Sequence, residues 1–114
     1  MAWRNKISPN RPRGESNADI DLLTLCHLEG LFPNTEDWIP LTKPDQHYPP
    51  QRVVVFLDGE AAHQGREELD AAIDLILIHR GYTVIRERYR PPMPMCQKLS
   101  IVERIKVALG KKAS

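Results

Sequence analysis

Asp58, Gly59 and His63 put a carboxylate, a turn and an imidazole close together in the chain, and Pro44-Asp45 supplies a second carboxylate upstream. Hard divalent cations such as magnesium or manganese take oxygen ligands, and one or two carboxylates plus water hold magnesium. An imidazole beside a metal-bound phosphate can take the proton of an attacking water. The chemistry in view is metal-assisted hydrolysis. A plainer account stands beside it: Asp after proline and Asp before glycine are both favoured in turns, and His63 taken by itself reads first as a surface-loop histidine. His47 is a second imidazole near Asp45, while His27 and His79 fall on predicted helices and read as structural or solvent-facing.

Further acids and bases surround this set. Glu67, Glu68, Asp70 and Asp74 cluster at the front of a predicted helix, where the helix dipole favours negative charge. Asp70 and Asp74 are one turn apart, so either can turn toward the loop of His63. On an earlier predicted helix, Asp19 or Asp21 can face the same site. Arg86, Arg88 and Arg90 alternate along a predicted strand flanked by Tyr82 and Tyr89, which puts three guanidinium groups on one face. Such a face suits phosphate contacts, and it is also how an edge strand is defended by charge.

The elements that position these residues follow from periodicity. Val53 to Leu57 is an unbroken apolar run, read with Arg52 and Asp58 as a buried strand over 52–58. A loop over 59–65 follows. Glu67 to His79 reads as a helix with Leu69, Ala72, Ile73, Ile76 and Leu77 as its core face and Gly81 as its stop. A strand over 82–89 ends at Pro91, Pro92 and Pro94, and a last helix over 98–109 carries Ile101, Val102, Ile105 and Leu109. Ahead of the central strand, a helix over 17–29 starts from a capping box at Ser16 and Asp19 and stops at Gly30. Residues 36–41 read as a short strand, and the three prolines between 44 and 51 as turn or extended chain. The strand–helix–strand unit predicts a parallel pair with a right-handed crossover. The expected class is α/β, a small mixed sheet flanked by helices, with residues 1–15 as a basic flexible arm and 16–114 as one domain.

Charge is partitioned along the chain. Residues 1–14 hold four bases and no acid, residues 15–79 hold 13 acids against Lys43, Arg52 and Arg66, and residues 80–114 hold nine bases against Glu87 and Glu103, giving +4, −10 and +7. Basic ends around an acidic middle fit a polyanion-binding surface around a cation site; solvated helix faces and tails give the same pattern. Cys26 and Cys96 lack CxxC spacing, which argues against structural zinc and a disulfide framework. No apolar run approaches the ~20 residues of a membrane span, and no secretory segment opens the chain, so an intracellular, cytoplasmic location away from membranes is expected, nucleoid-associated in a bacterium or phage.

The ordered set resembles the very short patch repair endonucleases and their small relatives, in the PD-(D/E)XK (restriction-endonuclease-like) superfamily. Pro44-Asp45 precedes the hydrophobic strand, Asp58-Gly59 and His63 close it, and Asp70-x-x-x-Asp74-x-x-Leu77-x-x-x-Gly81-Tyr82 leads into Val84-Ile85-Arg86. The match covers about residues 44–90. The resemblance implies a restriction-endonuclease-like core and magnesium-dependent hydrolysis of DNA. It implies that Asp45 binds the metal, with the carbonyl near Leu57 as a second oxygen. Asp58 lies beside the metal, His63 is the catalytic histidine, and Asp19 orients a metal-bound water. The chain departs from the pattern at Phe56, where close relatives often carry Glu. It has no Lys completing a (D/E)xK triplet, and it has Ala61 and Ala62 where mismatch-repair members carry aromatics. The family's zinc site has no counterpart. Arg86, Arg88 and Arg90, with Arg11 and Arg13 of the arm, are the expected DNA contacts. A catalytically degenerate nucleic-acid-binding module and a structural or partner-binding protein on the same scaffold are the alternatives. A homodimer or larger assembly is left open.

Overall fold

Val53 to Leu57 can be buried on both faces only if helices cover both sides of the strand, and that requirement organises the fold. The computed structural model describes residues 15–39, 41–60 and 65–110. In chain order these form α1 (Glu15–Leu28), β1 (Gln46–Tyr48), a 3-10 turn (Pro49–Gln51), β2 (Val53–Gly59), α2 (Glu67–His79), β3 (Thr83–Tyr89) and α3 (Met95–Ala108). The sheet order is β1-β2-β3. β1 lies antiparallel to β2, with Gln46 opposite Val55, and β3 lies parallel to β2, with Val53 opposite Thr83 and Gly59 opposite Tyr89. The result is a small α/β fold with a three-stranded mixed sheet and three helices among the described residues.

Side-chain alternation in β2 divides the core in two. Val53, Val55 and Leu57 pack with Ala18, Leu22 and Cys26 of α1 and with Ile101, Val102 and Ile105 of α3. Val54 and Phe56 face the other way, onto Leu77 and Ile73 of α2 and onto Ile39. β3 obeys the same period: Ile85 and Tyr89 join the first core, while Tyr82 and Val84 border the second.

Both predicted glycine stops work as expected. Leu31 N–H reaches the Cys26 carbonyl and Tyr82 N–H the Leu77 carbonyl, bonds closed by Gly30 and Gly81 at φ +80° and +92°. Only a residue without Cβ takes that conformation cheaply.

Several expectations change. α1 begins at Glu15, so Ser16 lies inside the helix and is not its cap. The described residues of 36–41 form no strand; Ile39 makes an isolated bridge to Thr42, and Asn34, ahead of the segment, makes one to His47. The strand preceding β2 is instead Gln46–Tyr48, kept short because Pro49 and Pro50 turn the chain into a 3-10 helix. α3 starts three residues earlier than expected, at Met95 after Pro94. The core face of α2 is also turned: Asp70 and Leu77 are buried, with Ile73 and Asp74 half-buried, whereas Leu69, Ala72 and Ile76 are exposed. The cause is a charge on the sheet beneath the helix.

Candidate functional site

That charge is Arg86. Its position on β3 aims it at α2, and its guanidinium lies over the Phe56 ring, 4.3 Å from the centroid. Nε and Nη2 donate to the two oxygens of Asp74 at 2.8 and 2.6 Å. Nη1 donates to Asp58 Oδ2 at 2.9 Å, and Asp70 Oδ2 lies 3.9 Å away. The Arg86 side chain is only 18% exposed. Burial works against its charge, but hydrogen bonds and the charges of Asp74 and Asp58 prevail and hold its pKa above the ordinary value. Three aspartates therefore converge on one fixed cation. An unpaired buried guanidinium costs several kcal/mol, which is why α2 presents Asp70 and Asp74 to the sheet.

Asp45 is held by a different device. The antiparallel pairing of β1 with β2 extends one residue upstream, where Asp45 N–H donates to the Val55 carbonyl at 2.9 Å. Its carboxylate reaches across the pair, and Oδ2 accepts the Leu57 N–H at 2.7 Å. This pairing carries Asp45 to the end of β2 where Asp58 stands.

These acids share a cleft of about 250 Å3 lined by Asp19, Asp45, Asp58 and Asp70, with Lys43, Arg66 and Arg86 as the opposing charges. A neighbouring cavity of about 410 Å3 shares Asp19, Lys43, Asp45 and Leu57, and extends past Glu36 and Gln46. The cleft opens beyond the carboxyl ends of the parallel strands, the position where open α/β sheets bind ligands. Asp19 and Asp21, equivalent candidates in the sequence, are separated by the fold. Asp19 lines both cavities, while Asp21 accepts a 2.8 Å hydrogen bond from Lys98 of α3.

The remaining candidates fall as follows. His63, Arg11 and Arg13 lie outside the described residues. His47 is buried, with Nδ1 2.8 Å from Asp37 Oδ2, so it braces a loop away from Asp45. Hydrogen bonds from Asn34 and then His47 hold the Asp37 carboxyl below its usual pKa. His27 stacks on Phe32 at 5.1 Å, and His79 is exposed at the end of α2. Of the three arginines expected on one face, Arg86 turns inward to the aspartates, and Arg90 pairs with Glu60 at 3.2 Å on the surface. Arg88 is exposed.

Sequence reading missed Lys43 and Arg66, the two further cations of the cleft. Lys43 directly precedes Pro44-Asp45, which was its only signal. Arg66 lies next to α2 and reaches within 3.9 Å of Asp70.

Among the described residues no three His, Cys, Asp or Glu side chains are grouped closely enough to enclose a metal ion. The donors on the cleft are carboxylates, the ligand type of magnesium and manganese, and magnesium needs only one or two of them. Scans of family models, curated proteins and solved structures return no match to the chain.

Proposed function

We propose that the chain is a metal-dependent DNA endonuclease or nickase on a restriction-endonuclease-like core. The observation that supports this best is the Asp45 carboxylate, fixed by the Leu57 N–H at the rim of a cleft that Asp19, Asp58 and Asp70 also line. Asp45 and Asp58 would hold magnesium or manganese, and the bound ion would polarise the phosphate and acidify a water. Asp45 is restrained by its backbone donor, and Asp58 by Arg86. Asp19, which lines the cleft, is proposed to orient a metal-bound water, and Asp70 to support the Arg86 cluster. Lys43 and Arg66 offset the acids so that a phosphodiester can approach. His63 is proposed as the proton acceptor. Arg88, Arg90, Arg11 and Arg13 are proposed to contact backbone phosphates, and DNA as substrate would make the site of action intracellular.

A second reading has its own observation. Arg86 rests on Phe56 and already neutralises part of the Asp58 charge, which suits a module that binds DNA without cutting it.

Plasmid nicking with magnesium or manganese separates the two. The nuclease reading expects cleavage by the unaltered chain and a loss of about 100-fold or more in Asp45→Asn and His63→Ala. Asp45→Asn keeps an acceptor for the Leu57 N–H, so its fold should persist while its rate falls. Salt-sensitive DNA binding without cleavage would establish the second reading in its place.

A further inference from the structure

α2 is built inside out. Its interior acids, Asp70 and Asp74, face the sheet and Arg86. Between Leu69 and Ile78 every exposed residue is apolar: Leu69, Ala71, Ala72, Leu75, Ile76 and Ile78. Leu75 is 68% exposed, Leu69 56% and Ile78 54%. A surface helix ordinarily turns charge to water, and one that is apolar on its outer side is one that becomes covered.

Ionisable groups remain at the two ends of this face, acids at one and bases at the other. Glu67 and Glu68 are exposed at the N-terminal turn, and His79 and Arg80 at the C-terminal turn. On the helical wheel Glu68, Ala72, Leu75 and His79 run down the centre of the outer side. An antiparallel copy of the same helix sets the acidic end of each face against the basic end of the other. With Ala72 set against Leu75 of the partner subunit, Glu68 meets the partner's His79. The small Ala72 side chain then receives the large Leu75 side chain twice, related by a two-fold axis. Parallel pairing would place acid on acid and base on base.

We propose that α2 forms an isologous, antiparallel helix pair with α2 of a second copy of this chain, burying the Leu69–Ile78 face. The pairing is independent of the nuclease reading, because none of the exposed apolar residues of this face lines the cleft.

Sedimentation velocity or light scattering on the full chain, at concentrations up to roughly 100 µM, tests it. The unaltered chain should reach twice the monomer mass. Leu75→Glu should weaken association by roughly 100-fold or more with an unchanged far-ultraviolet circular dichroism spectrum. Ala72→Arg, which blocks the close approach at the two-fold axis without removing any large apolar group, provides the same readout should Leu75→Glu unfold. Glu68→Lys and His79→Glu should each weaken the dimer, and the two together should restore it. A monomer over the whole concentration range would overturn the proposal and leave the face to a different partner. A dimer indifferent to both Leu75→Glu and Ala72→Arg would overturn it as well.

Discussion

Asp19 and Asp21 differ by two positions and by nothing that composition or spacing can rank. Lys98, 77 positions beyond Asp21, takes that carboxylate into an ion pair between α1 and α3, and Asp19 is left on the cleft. The same logic of partners separates the two cysteines. Cys96 is exposed and Cys26 is buried, where Tyr48 and Gln46 surround its sulfur at 3.8 and 3.7 Å. Burial raises the Cys26 pKa above the ordinary thiol value, with smaller lowering contributions from Tyr48 and Gln46. Burial and the neighbouring Cys26 raise that of Tyr48 as well. The sign of the consequence is fixed. In the unfolded chain the thiol releases its proton near pH ~8.5, while the folded chain retains it. Above that pH the folded state binds more protons, so stability is fully present below it and falls as pH rises, by at most about 1.4 kcal/mol per unit. Denaturant unfolding between pH 7 and 10 should show this alkaline loss, and Cys26→Ser should lack the Cys26 part of it. Identical pH profiles for the two proteins would contradict the assignment.

At the scale of elements, α2 shows how a buried charge redirects a helix. The apolar periodicity of residues 69–77 points Leu69, Ala72 and Ile76 at the sheet, and the fold turns them to the surface. β3 presents Arg86 to that face, and the free energy of an unpaired guanidinium exceeds that of burying one more aliphatic side chain, which is about 1.5–3 kcal/mol. Arg86 is therefore the anchor of α2. Arg86→Ala should destabilise the protein by about 3 kcal/mol, because Asp58, Asp70 and Asp74 then lose their shared counter-charge. Arg86→Lys should recover only part of this, since an ammonium cannot reproduce the two-point contact with Asp74. Urea unfolding midpoints would check both values. A loss under ~0.5 kcal/mol for Arg86→Ala would mean that apolar contacts, not the ion cluster, set the orientation of α2.

Over the whole molecule, α1 and α3 share one face of the sheet and α2 holds the other, and the cleft lies where β2, Arg86 of β3, α1, α2 and the segment ahead of β1 meet. No helix among the described residues is long and apolar enough to cross a membrane. The charge partition of +4, −10 and +7 along the chain gains a spatial meaning from the fold: four acids of the middle segment, Asp19, Asp45, Asp58 and Asp70, line the cleft, and Arg88 and Arg90 stand at the carboxyl end of β3. If these two arginines meet phosphates, the double substitution Arg88→Ala/Arg90→Ala should weaken duplex DNA binding in 50–200 mM salt. It should also lower the slope of log affinity against log salt by about 2, roughly one for each arginine removed from a phosphate. An unchanged slope would remove this pair from the DNA-binding surface. Asp45→Asn should leave the slope alone, because it contacts no phosphate in the proposed mode.

Much of the architecture was legible before folding. A short apolar run rich in valine reads as a central strand, glycine ends a helix through positive φ, and an aliphatic strand–helix–strand unit gives a parallel pair. Each of these is a local or periodic property, carried by adjacent residues and set by backbone sterics and burial. The short strand that delivers Asp45 to Asp58 was not legible, because the prolines around it read as turn or extended chain. What only the tertiary structure decided concerns pairing between residues far apart in the chain: which of Asp19 and Asp21 faces the cleft, that Arg86 belongs to aspartates and not to the surface, that Lys43 and Arg66 complete the cleft, and which side of α2 is left to solvent. These depend on where single charges find partners. A charge is neutralised by whatever lies within a few ångströms, and no regular spacing in the sequence records that distance.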